Sequence, residues 1–171
     1  MGANGLVACQ RVRTPGDDPV TPTPPVRRRA RPEDLGALVE LDRLCFGRRA
    51  WSARAWREAL VDPECDVTVV LDDRAIIAAS VLVLVTPVAS LASLAVHPEH
   101  RRRGLGRELL RDAIARARRG SARWLALEVD SGNRGAVALY RGEGFAAVRR
   151  FREDGRRRCE MLRRLGGPHA V

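Results

Sequence analysis

The segment HPEHRRRGLGRELL, residues 97–110, constrains this chain more than any other. Before it runs VASLASLAV (Val88–Val96), an apolar stretch with strand character that Pro98 stops. After it, Leu105, Leu109, Leu110, Ile114 and Ala117 recur at helical spacing. The turn between them carries Gly104 and Gly106, each of which costs about 1 kcal/mol against alanine inside a helix. The first turn of a helix presents unpaired N–H groups and the positive end of its dipole. Glycines there clear the way for a large anion to lie on the amides. Arg101, Arg102 and Arg103 add attraction at longer range. The spacing R-x-x-G-x-G is not the dinucleotide fingerprint G-x-G-x-x-G, because Leu109 stands where the third glycine belongs. A Walker loop and a lysine Schiff base are excluded as well, since all 31 basic residues are arginine.

A second strand–helix unit comes next: ARWLALEVD, then NRGAVALYRGEGF with Asn133 as its cap. Upstream, VRRRA (Val26–Ala30) reads as a short strand. Pro32 opens a helix in which Leu35, Leu38, Val39, Leu44 and Cys45 share an apolar face, with Leu41 less well placed. Ser52 caps a short helix, SARAWREALV. DVTVVLDDRAIIAASVLVLV is a hairpin turning at Asp72-Asp73-Arg74, and a closing hairpin turns on Asp154-Gly155. The order β-α-α-β-β-β-α-β-α-β-β predicts an α/β (α+β) chain on one mixed sheet. Residues 1–25 are proline-rich without apolar periodicity and read as a disordered leader. Residues 26–167 read as a single domain.

Composition narrows the function. No apolar run of about 18 residues exists, so no membrane span is expected. The four cysteines lie far apart without C-x-x-C, which predicts reduced thiols, no zinc site and a cytoplasmic location. The net charge of +10 suggests nucleic acid, but arginine without lysine, beside abundant alanine, equally reflects GC-rich codons. Aromatics at 4% leave few stacking platforms, so specific DNA binding is not expected. Monomer and homodimer both remain open.

SLAVHPEHRRRGLGRELL followed by LEVDSGNRGAVALYRGEGF resembles the acetyl-CoA-binding core of the GNAT superfamily of N-acetyltransferases. Within it the pattern is most similar to the bacterial ribosomal-protein-alanine N-acetyltransferase type. The resemblance covers Val88–Phe145 and extends more faintly over Val26–Leu165. It implies a GNAT-like acyl-CoA N-acyltransferase fold with acetyl-CoA as co-substrate and no metal. The coenzyme A diphosphate would lie on the amides of Arg101, Arg102, Arg103, Gly104, Leu105 and Gly106. Its pantetheine arm would pair with Leu94, Ala95 and Val96, with Asn133 touching the arm. Glu128 of LEV would be the general base, acting through water, and Tyr140 of ALY the acid that protonates the departing sulfur. A strand N–H, that of Val96, would hold the thioester oxygen. The residues alone leave plainer roles open: an exposed strand-end glutamate, a core tyrosine, a helix cap at Asn133. His97 and His100 read as solvated or capping.

Alanine-acetylating relatives often end in a pattern like Y-Y-E-D-G-x-D-A-L-x-M, whose tyrosines and acid shape the acceptor slot. Here the stretch is FREDGRRRCEM: Phe151 keeps an aromatic, Arg152 replaces the second tyrosine and Arg157 the acid. Residues 145–171 carry eight arginines against Glu153, Asp154 and Glu160. That balance favours an acceptor carrying a carboxylate or phosphate, or a weak ribosome-facing surface; the alternative is a charged edge that blunts strand pairing. The acceptor is expected to be a protein N-terminal α-amine. A small-molecule amine, amino acid or antibiotic is the alternative. A non-catalytic acyl-CoA-binding or RNA-associated module stands further off.

Overall fold

The elements form in the expected order: β1 (Val26–Arg29), α1 (Leu35–Phe46), α2 (Ala53–Val61), β2 (Cys65–Asp72), β3 (Ala75–Val83), β4 (Val88–Val96), α3 (Leu105–Arg119), β5 (Trp124–Asp130), α4 (Arg134–Gly142), β6 (Ala146–Glu153) and β7 (Arg156–Arg164). This computed structural model describes residues 24–166. The leader reading falls almost wholly outside the described residues, as does Cys9. Ser52 caps α2 by accepting from the Ala55 N–H at 3.1 Å, and Asn133 caps α4 by accepting from Ala136 at 3.1 Å. Pro32 opens a single 3-10 turn that leads into α1.

The strands join one sheet in the order β1-β2-β3-β4-β5-β7-β6. Only the β4–β5 pair is parallel, as the crossover through α3 requires. Alternation along β2 sends Val67 and Val69 to the face covered by α1 and α2, and Val70 to the face covered by α3. Leu109 and Leu110 are fully buried beneath α3, each worth about 1.5–3 kcal/mol of burial. A bulge redirects the last residues of β4: Val81 pairs with Ser93 and Leu82 with Leu91, leaving Ala92 unpaired. Past the bulge the alternation reverses. Ala95 joins the α1–α2 core, while Leu94 and Val96 pack towards α3.

One detail of α1 differs from expectation. Leu41 is buried and Leu44 is 53% exposed, because the inward stripe runs through Leu38, Leu41, Asp42 and Cys45. A bidentate ion pair from Arg28 to Asp34, at 2.6 and 2.8 Å, ties β1 to the start of that helix. It holds the Asp34 carboxyl below its usual range.

Candidate active site

The parallel strands β4 and β5 pair only from Val88 with Trp124 to Leu91 with Leu127. Beyond that point they part, and a cleft of about 930 Å³ opens between them. It is lined by Leu91–Val96 and Glu128–Asp130 from the strands, Arg101–Arg107 without Arg103 from the loop and α3, Asn133–Tyr140 in part from α4, and Asp42–Trp51 in part from the α1–α2 connection.

Both flanks of the cleft carry unused main-chain groups. The His97 N–H donates to the Ile77 carbonyl at 2.8 Å. Bonded and non-bonded pairs alternate along an antiparallel ladder, so the main-chain groups of Leu94 and Val96 point away from β3 and into the cleft. There the Val96 carbonyl accepts from Cys45 Sγ at 3.3 Å and from Arg101 Nε at 3.1 Å. In the loop, the N–H groups of Arg102, Arg103, Gly104, Leu105 and Gly106 have no acceptor among the described residues. They gather at the N-terminus of a 15-residue helix, where the dipole favours an anion.

The two glycines do different work. Gly104 caps α3 at φ 89°, where an L side chain is strained. Gly106 has ordinary helical geometry; a Cβ there would point at Leu139, Leu94 and Val96, 3.6–3.7 Å away. Those are ordinary contact distances, so the packing of α3 on β4 and α4 does not depend on its bareness. Arg101, Arg102 and Arg103 are exposed, and His97 caps the short turn that leads to them by accepting from Glu99 at 3.3 Å.

Tyr140 is 8% exposed, with its ring 5.9 Å from that of Phe145. Burial pushes its phenol up to about 12, so it keeps its proton at any physiological pH. Glu128 stands on the cleft wall two residues before the end of β5, its side chain 42% exposed, and its Oε2 lies 3.1 Å from Arg158 Nη2. Asn133 lines the cleft while its Oδ1 caps α4.

Four further residues on this wall have no warning in the motifs. Asp42 is 1% exposed and accepts from the Trp51 N–H at 2.5 Å, which fixes the connection from α1 to α2. Its other oxygen and the nearby Trp56 Nε1 both lack a well-formed hydrogen bond among the described residues, and burial pushes its carboxyl up. Cys45 is half-buried, and burial raises its thiol. Arg49 reaches Asp130 at 3.7 Å across the cleft. Arg158 bridges Glu128 and Glu153. Of the four, Asp42 alone carried a signal that could have found it, an acid four residues after Leu38.

A nest of free amides, an open strand edge, a carboxylate and a buried phenol surround one cleft. Residues 35–145 match the model of the GNAT family of acetyltransferases, and the chain belongs to that family. The [ribosomal protein bS18]-alanine N-acetyltransferase of Escherichia coli K12 is 42% identical over 64 residues, 36% of this chain and 43% of that protein. The match thus spans less than half the length of that relative. Its Salmonella typhimurium counterpart is 34% identical over 102 residues, covering 58% of this chain and 68% of the other. The crystal structure of the Escherichia coli ribosomal-protein-S18-alanine N-acetyltransferase superposes with a TM-score of 0.77 at 23% identity, over 86% of this chain and 98% of that one. Among the described residues no helix is long and apolar enough to cross a membrane.

Proposed function

We propose that this chain transfers acetyl from acetyl-CoA to the α-amine of a protein N-terminus, as the ribosomal-protein-alanine enzymes it is similar to are named for doing. The observation that carries the reading is the run of free N–H groups from Arg102 to Gly106 beside the cleft-facing edge of β4. A diphosphate fits the first and an amide-bearing arm fits the second. Acetyl-CoA would supply the activated acyl group; the chain supplies everything around it.

Leu94 and Val96 offer N–H groups to the thioester oxygen as charge gathers there, and Leu94 lies one strand repeat nearer the fork of β4 and β5. Glu128 takes a proton from the bound ammonium, directly or through water, and the neutral amine then attacks the thioester carbon. The Tyr140 phenol gives its hydrogen to the departing sulfur. Since the amine and the thioester are held in one cleft, positioning supplies much of the rate.

A peptide acceptor is supported by a second hollow of about 230 Å³, lined by Ser90, Ala126, Leu127 and Glu160, which shares Leu91, Ala92, Glu128 and Arg158 with the main cleft. Small side chains at Ser90, Ala92 and Ala126 leave room for chain beyond the amine. An acceptor of this kind places the enzyme in the cytoplasm with passing contact to ribosomal protein. Thiol release from acetyl-CoA, measured against N-terminal peptides and small amines side by side, tests the proposal. Turnover of peptides is expected; turnover of small amines alone would replace it with the small-molecule reading.

A further inference from the structure

Arg158 is placed at the reaction centre in a way that amine chemistry alone does not require. Its Nη2 lies 3.1 Å from Glu128 and its Nη1 3.0 Å from Glu153, while its Nε is buried without an acceptor among the described residues. The side chain is 21% exposed and lines both the cleft and the adjoining hollow. A guanidinium presents forked edges that match the two oxygens of a carboxylate, and Nε with Nη2 forms one such edge. On Arg158 that edge is half used. Nη2 rests on the expected base and Nε has no acceptor among the described residues, an omission that costs a buried donor stability.

We infer that Arg158 selects the acceptor, taking an amine that stands a few bonds from a carboxylate. The incoming carboxylate satisfies Nε and Nη2 together and displaces Glu128, while Glu153 keeps Nη1 and holds the guanidinium in place. Glu128 is thereby released beside the ammonium it must deprotonate. An acceptor with a neutral or basic neighbour leaves Glu128 tied to Arg158. Resting on the N-terminal acetylation proposed above, the acceptor class becomes a protein N-terminus with aspartate or glutamate next to its first residue. The main-chain carboxylate of a free amino acid offers the same chemistry, and the test separates the two sources.

The experiment compares kcat/KM of the full chain for C-terminally amidated peptides beginning Ala-Glu, Ala-Gln and Ala-Arg, with free L-alanine and alaninamide as the second arm. Ala-Glu is expected to exceed Ala-Gln by about tenfold, the order of one charge-assisted contact, and Ala-Arg to be poorest. Arg158→Gln is expected to bring the Ala-Glu to Ala-Gln ratio close to one. Arg158→Lys, which keeps the charge but loses the fork, is expected to fall between and serves if the glutamine variant does not fold. Equal use of the three peptides by the wild type, or a ratio unchanged in both variants, overturns the inference and leaves N-terminal acetylation standing. Silent peptides, with alanine preferred over alaninamide only while Arg158 is present, would keep the fork and sink the peptide acceptor. Turnover of none of these amines would remove both.

Discussion

At Tyr140 the burial that completes the core also bears on the acid role proposed for it. With its phenol pushed up to about 12, the residue stands protonated wherever the enzyme works. Tyr140→Phe is expected to lower kcat by about a hundredfold or more, the scale of general acid catalysis, with acetyl-CoA affinity unchanged by calorimetry. A loss of affinity matching the loss of rate would assign the ring to packing. Asp42 is the opposite case. Its raised carboxyl pKa means that the native state keeps a proton the unfolded chain has already lost. Stability is therefore complete at pH below the ordinary carboxylate range and declines as pH rises through the folded value. Asp42→Asn still accepts from the Trp51 N–H without a buried charge, so its melting temperature at neutral pH is expected to equal or exceed the wild type's. That advantage should vanish in acid. A variant melting several degrees lower at neutral pH would show that the charge itself holds the α1–α2 connection. That Tyr140 and Glu128 would line one cleft was legible from sequence, because each sits within a local motif. Arg158 was not, since it meets Glu128 only through the pairing of β5 with β7.

Among elements, the start of α3 carries the clearest test, because its two glycines answer to different neighbours. Gly104→Val must take a left-handed backbone and is expected to weaken acetyl-CoA binding by about tenfold or more, with some loss of stability. Gly106→Ala fills ordinary contact distance, so it is expected to bind acetyl-CoA almost as well and to gain up to about 1 kcal/mol of stability. Titration calorimetry and thermal melts read both. Equal binding by the Gly104 variant would mean that the anion sits elsewhere. The strand–loop–helix run was plain from Pro98, the glycines and the leucine spacing. The bulge at Ala92 was hidden: in SLASLAV, small and large residues alternate well enough with or without an extra residue, and only the ladder with β3 decides. The face of α1 slipped for a related reason. Periodicity put Leu44 on the apolar face, whereas Asp42 turns inward to accept from the Trp51 N–H.

For the whole molecule, element order and a mixed sheet came from the sequence pattern, but not that β7 would insert between β5 and β6 and leave β4–β5 the one parallel pair among the described strands. That pattern could not convey that this pair would part after Leu91 and Leu127. Because α3 and α4 contribute to the opening from one side and α1 from the other, it passes through the sheet from face to face. A slot of that kind has two doors. Acyl donor and amine can be present together, neither barring the other's way, and the acyl group need never be parked on a side chain. Initial rates taken at varied levels of both reactants are then expected to plot as intersecting lines, whereas a parallel family would betray an acylated form of the protein.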